Sequence, residues 1–290
     1  KRLTLVGIFK EVMYAHPDIS VGKANAACEG WWKVSDTEAP TAAPHVIMFQ
    51  NGALDVLTGE LRLPRLEDFN PNVMGVDYNP AAVCPRWEKH VTHLMRPGVE
   101  VSEGMTQEEL DEDHLAAVDT LEEFLGYCMA RNYQFQKMLF IVGPPNAGKG
   151  TIAKFLRNVF PAKTGAGVPM HDMDSPEWRF GMVGKLVNYG AEVGRRDKQV
   201  DAILNMITAH EPVSVWKMHQ IREEVCLDAR LIFDGNLMPA TGDITGAFKR
   251  RSLLLVGSAL PKDVTPLPSD VYDALLLAEA EGILLRWVTA

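Results

Sequence analysis

The stretch MLFIVGPPNAGKGT, Met138 to Thr151, decides how this chain is read. Five apolar residues, Met138 to Val142, have the look of a buried strand. They run straight into Gly143, Pro144, Pro145, Asn146, Ala147, Gly148 and Lys149, a G-x-x-x-x-G-K loop. A helical pattern follows, with Ile152, Phe155, Leu156, Val159 and Phe160 at i, i+3, i+4, i+7 and i+8. Glycines let such a loop turn its backbone N–H groups inward around phosphates, the lysine reaches the outer phosphates, and the helix points its positive end at them. The bare spacing arises by chance in roughly one chain in ten of this length, so the strand before it and the helix after it carry the inference of a nucleoside triphosphate site. Gly150 stands where the pattern has Ser or Thr, and the hydroxyl arrives one residue later at Thr151. Magnesium is therefore expected on Thr151 or held through water.

With 290 residues, 47% of them hydrophobic, the chain can bury one large or two modest cores. No apolar run approaches the ~18 residues of a membrane span, and the N-terminal stretch has no signal-cleavage pattern, so a cytoplasmic protein without membrane contact is expected. A chain that opens on Lys1 is expected to be part of something longer. Cys28, Cys84, Cys128 and Cys226 are isolated, which argues against a zinc site or a disulfide framework and predicts reduced, mostly core thiols. A net charge of −9 excludes a wholesale basic coat for nucleic acid, so any such contact must come from a local loop or from a channel shared by several subunits.

Three regions are expected. Residues 1–135 read as a helical and hairpin region. An amphipathic pattern at Leu5, Ile8, Phe9, Val12 and Met13 leads into the loop EAPTAAP, then into a small meander turning at Asn51-Gly52 and Thr58-Gly59. A helix follows around Trp87 to Met95. The acidic run EGMTQEELDEDH reads as a solvated helix face or loop before a second helix, with Leu115, Val118, Leu121, Leu125 and Met129 on one side. Trp31 and Trp32 read as packing or interface residues rather than as a base-stacking platform. Residues 136–262 alternate short apolar strands with helices, which predicts a sheet-centred α/β domain: KLVNYGAE, the helix QVDAILNMITAH, VSVWKMHQ, ARLIFDGN and SLLLV. Residues 263–290 form a helical tail.

An enzyme that hydrolyses NTP on such a loop needs a carboxylate at a strand end, a polar group to sense the outer phosphate, and an arginine for the charge of the transition state. The chain offers these in order. Glu192 stands 43 residues after Lys149, Asn236 44 residues later, and Arg250 and Arg251 14 and 15 beyond that.

That order, together with GPPNAGKGT itself, resembles the superfamily 3 helicases of viruses, phages and plasmids, in particular the helicase half of primase-helicases of the phage and poxvirus type. The segments FQNGALDVLTGELR, VDYNPAAVCPRWEKHV, LEEFLGYCMARNYQFQKMLF, FGMVGK and AEGILLRWV are similar to the same family, from about Phe49 to about Val288. The resemblance implies an AAA+-like α/β motor behind a helical and hairpin collar, working as a ring, expected to be a hexamer, on single-stranded or forked DNA with ATP or another NTP and Mg2+. By position, Lys149 and Thr151 take the Walker A roles, Glu192 the Walker B acid, and Asn236 the sensor. Arg251 is implied to act on a neighbouring subunit's nucleotide, with Arg195, Arg196 and Arg250 as open alternatives. VSVWKMHQIREEV matches a hairpin whose tip enters the DNA channel, here with Lys217 and His219. The metal is implied at Thr151 and Glu192, and a primase or polymerase module is expected in the parent chain. Ala191 sits where some members have a second acid, and the KMH tip is less basic than many. A DNA-binding assembly ATPase or replication initiator that does not unwind stays open beside the helicase reading. A nucleotide kinase fits less well, because no arginine follows the loop helix until Arg179, where an arginine-rich lid would be needed.

Overall fold

The structure is a computed structural model that describes residues 45–65, 68, 70–96, 106–190, 198–217, 222–237, 246–259 and 267–290. The predicted helix at Leu5 to Met13, the EAPTAAP loop, Trp31, Trp32, Cys28, Glu192, Arg195, Arg196 and His219 lie outside the described residues.

The meander forms as its turn residues predict. Strands β1 (Val46–Phe49), β2 (Gly52–Asp55) and β3 (Glu60–Arg62) make an antiparallel sheet in sequence order. Asp68 braces its far end, receiving both guanidinium nitrogens of Arg62 at 2.6 and 2.8 Å. Helix α1 (Pro85–Leu94) starts on a proline, whose missing N–H costs nothing in a first turn. Helix α2 (Gln107–Met129) is longer than its apolar stripe predicts. A capping box between Thr106 and Glu109 nucleates it inside the acidic run, which becomes its solvated first turns. Val118, Leu121, Leu125 and Met129 are buried as expected, but Leu115 is 63% exposed, because the stripe meets the core only from the fourth turn onward.

The α/β region is built on five parallel strands: β4 (Met138–Val142), β5 (Gly165–Ala166), β6 (Val187–Gly190), β9 (Arg230–Gly235) and β10 (Ser252–Val256), in the spatial order β10-β4-β9-β6-β5. Strand β5 escapes a reading of the sequence because two small residues carry no periodicity. Helix α3 (Lys149–Val159) leaves β4 on one face of the sheet. Alternation along the strands sorts the core: Leu139, Ile141, Val187, Tyr189 and Ile232 face α3, whereas Met138, Phe140, Leu231 and Phe233 join Val200, Leu204 and Ile207 of α5 (Lys198–Thr208) and Phe248 of α6 (Ala247–Arg251). Burial on both faces explains why these strands read as unbroken apolar runs. A short helix α4 (Pro176–Phe180) and the hairpin β7 (Pro212–Val215) and β8 (Glu223–Cys226) complete the region.

Helices α7 (Ser269–Leu277) and α8 (Ala280–Thr289) fold back over α1, α2 and α3. Trp87 of α1, Phe155 of α3 and Trp287 of α8 meet in a three-ring cluster with centroids 5.5 to 5.8 Å apart. Beside it the buried Glu122 of α2 accepts from Trp87 Nε1 at 2.9 Å and from Arg286 Nε at 2.6 Å. Collar helices, loop helix and tail thus share one core. Cys84 and Cys128 belong to it, in line with mostly core thiols, while Cys226 ends exposed on β8. No helix among the described residues is long and apolar enough to cross a membrane.

Candidate nucleotide site and associated elements

Strand β4 delivers the loop at the carboxyl end of the sheet, where open parallel sheets place their ligands. Gly143 N–H donates to Gly235 O at 3.1 Å, which holds the start of the loop against the end of β9. Glycine is required there because a Cβ would sit 2.5 Å from Gly257 O, where the chain leaves β10. The loop turns at Asn146 (φ 64°) and Gly148 (φ 99°), both left-handed, and Gly148 caps α3. Pro144, Pro145 and Asn146 are exposed, while Ala147 is buried beneath them. Gly150 and Thr151 occupy the first turn of α3.

Lys149 is 7% exposed. Its ammonium donates to Gly143 O at 2.7 Å and Pro144 O at 2.8 Å, and lies 3.4 Å from Asn236 Oδ1. The structure therefore brings together two residues that sequence spacing placed 87 apart. Burial lowers the Lys149 pKa, and the Asp234 carboxylate opposes that shift. Asp234 was missed in the sequence, hidden inside the strand run LIFDG. It pairs in register with Ile141 of β4 and therefore faces the α3 side, where its charge also acts on the Tyr189 hydroxyl. The one signal available was an acid next to the end of a largely apolar strand.

The other predicted residues lie elsewhere. Arg251 ends α6, just before Ser252, which pairs with Met138 at the opening of β4. The loop begins where Val256 pairs with Val142, so Arg251 is about six residues, or about 20 Å, from its own Gly143 along the strand direction. Its Nη1 is 3.4 Å from Ala247 O, and its Nε is buried without a hydrogen-bond partner. Arg250 is exposed.

Lys217 stands just past β7, with Nζ 5.2 Å from the centre of the Phe180 ring. The hairpin is fixed to α4 by Arg179, an almost fully buried cation that donates to Ser214 O through Nε and Nη2 at 2.9 and 2.7 Å, and to Met173 O at 2.7 Å. Trp216 N–H also donates to Pro176 O at 3.0 Å. On the same short helix Trp178 is 52% exposed. Sequence reading found the hairpin but not α4, because five residues are too few to show a helical period.

Residues 22–95 match the family model described as D5 N terminal like, and residues 141–251 match a family of unknown function, DUF5906. No curated protein sequence matches the chain. Among solved structures, an apo structure of the NrS-1 C terminal region (305–718) is similar over 73% of this chain and 48% of that one, at 16% identity and a TM-score of 0.55. A second, the A form, is similar over 73% and 47%, at 14% identity and a TM-score of 0.53. This chain thus spans about half the length of those structures, and the likeness is one of fold. A weaker likeness, with a TM-score of 0.41 at 12% identity over 69% of this chain and 53% of the other, is to the JCV helicase. The first family model falls on the hairpin region and α1 and the second on the α/β region, and the chain is similar to phage and viral primase-helicases of the superfamily 3 type.

Proposed function

We propose that this chain is the NTP-hydrolysing motor of a replicative DNA helicase, working as a ring, with six subunits expected. The observation that carries the reading is Lys149. A buried ammonium at the carboxyl end of β4, within reach of Asn236 at the end of the neighbouring strand, is what a γ-phosphate and its sensor require. An outer phosphate takes over the bonds that Lys149 makes to the loop carbonyls, and Asn236 reads whether that phosphate is present. Thr151 and Glu192 are hard oxygen donors of the kind Mg2+ selects, with Asp234 as a further carboxylate near Lys149. When bound, that ion neutralises charge building on the phosphates. Glu192 polarises the attacking water.

The position of Arg251 supports action in trans over action in its own subunit, because it lies too far from its own loop to serve the nucleotide there. Lys217, with His219, supports contact with single-stranded DNA. The exposed Trp178, anchored to the same hairpin through Pro176, adds a face on which a base can stack. A primase or polymerase module elsewhere in the parent chain and a cytoplasmic setting, that of the host for a phage protein, complete the proposal.

The test is NTP turnover with and without single-stranded DNA, run beside displacement of a strand from a forked duplex. Stimulated turnover with displacement is expected. Turnover without displacement would reassign the chain to a DNA-binding assembly ATPase, and no turnover would contradict both.

A further inference from the structure

Collar helix α1 meets the phosphate loop through a histidine. His90 packs on Gly148 so closely that a Cβ there would stand 2.8 Å from its Cε1 and 3.1 Å from its Nε2. On the ring's other side, Nδ1 is 3.2 Å from the hydroxyl of Tyr272 on α7. Helix α7 is itself pinned to α3 by Lys154, whose ammonium bonds Ser269 Oγ at 2.7 Å and Asp273 Oδ2 at 2.6 Å. Elements from the collar, the loop and the tail therefore converge on one imidazole.

Burial lowers the His90 pKa to about 4, so the ring is neutral at neutral pH and carries a single proton. A phenol is the stronger donor of the pair, so we assign its proton to the bond with Nδ1, which leaves the ring's own proton on Nε2. That nitrogen is sealed from solvent and has no hydrogen-bond partner. The Gly148 carbonyl faces the imidazole as the backbone group whose hydrogen bonding favours its protonated form, but the contact falls short of full hydrogen-bond geometry. It is engaged instead by Thr151 N–H at 3.0 Å and Ile152 N–H at 3.4 Å. A buried donor left unmade is costly, and a small movement of the Gly148 peptide would satisfy it.

The neighbouring residue gives a reason for that movement. Lys149 bonds the carbonyls of its own loop, and a bound triphosphate must draw it away from them while the loop N–H groups turn inward. We infer that His90 is a positioning residue for the nucleotide: as the loop wraps the phosphates, the Gly148 carbonyl moves onto His90 Nε2–H, so the arrangement that holds NTP is the one that satisfies the histidine. This rests on the NTP-binding function proposed above. It makes α1 and α7 part of the nucleotide site without contact between either helix and the ligand.

The test measures the Kd of a fluorescent ATP analogue and single-site turnover for wild type, His90→Ala, His90→Gln and Tyr272→Phe. His90→Ala should weaken binding about tenfold while kcat stays within about twofold, and His90→Gln, whose amide can donate to Gly148 O, should recover most of the loss. If His90→Ala does not fold, Tyr272→Phe carries the test through the released Nδ1, with a loss of about threefold expected. An unchanged Kd in the folded variants overturns the inference. So does an equal loss in the alanine and glutamine variants, which would mean that the ring only fills space. A wild-type chain that binds no nucleotide would overturn the proposed function, and this inference with it, whereas normal wild-type binding with indifferent His90 variants overturns this inference alone.

Discussion

At the scale of single residues, the site depends on where one ammonium can go. Lys149 is buried among carbonyl oxygens and held near Asn236 and Asp234, so its charge is available to a phosphate without the water that would otherwise screen it. Lys149→Ala should lower NTP turnover by at least about 10²-fold while leaving the far-ultraviolet circular dichroism unchanged, because the strands around it are held by apolar packing. Turnover retained in a folded Lys149→Ala protein would remove the site. The loop's place in the fold was legible in the sequence, since an apolar strand and an amphipathic helix flank the glycines and the lysine. Asp234 and His90 were not. The first is disguised by the strand that carries it, and the second gains its meaning only when α1 is laid across Gly148.

At the scale of elements, the hairpin and α4 act as one piece because Arg179 and the Pro176 carbonyl tie them together. Lys217→Ala combined with Trp178→Ala should weaken single-stranded DNA binding by about 10-fold or more while basal NTP turnover persists, since stacking contributes about 1–3 kcal/mol per base and the phosphate contact adds to it. Raising salt should erode the Lys217 share and leave the Trp178 share. Fluorescence anisotropy with a labelled oligonucleotide at two salt concentrations checks this, and equal affinities for wild type and variant would move the DNA contact elsewhere. The sequence disclosed elements wherever burial imposes a period, as in β4, α3 and β10. It concealed β5 and α4, which are too short to repeat, and the true start of α2, which depends on a cap at Thr106 rather than on apolar residues.

At the scale of the whole molecule, helices α1 and α2, the α/β region and the C-terminal helices are joined by the Trp87, Phe155 and Trp287 cluster and by the buried Glu122. The neutral His90 stacks on Trp87 at the edge of that shared core, which gives stability a pH signature. Burial holds its pKa at about 4 in the fold against an ordinary 6.5, so as pH falls from about 6.5 towards 4 the unfolded chain takes up a proton that the fold refuses. Stability should decline across that window. For Asp228, burial opposes ionisation but is outweighed by hydrogen bonds from His210 and Tyr133 and by the Arg131 charge, so its contribution is lost only at lower pH, as its depressed folded pKa is passed. Urea midpoints at pH 7.5, 6 and 5 should fall for wild type and fall less for His90→Gln, and parallel curves would show that the histidine is not the group responsible. In the proposed ring the nucleotide site is finished only by a second copy, since Arg251 lies about a strand's length from its own loop. The direct measurement mixes Arg251→Ala protein with Lys149→Ala protein, each expected to be nearly inactive alone, because a finger supplied in trans is worth about 10³ or more in rate. Interfaces that pair an intact loop with an intact finger should restore part of the turnover, whereas a mixture that demonstrably co-assembles and stays inactive would contradict a site shared between subunits.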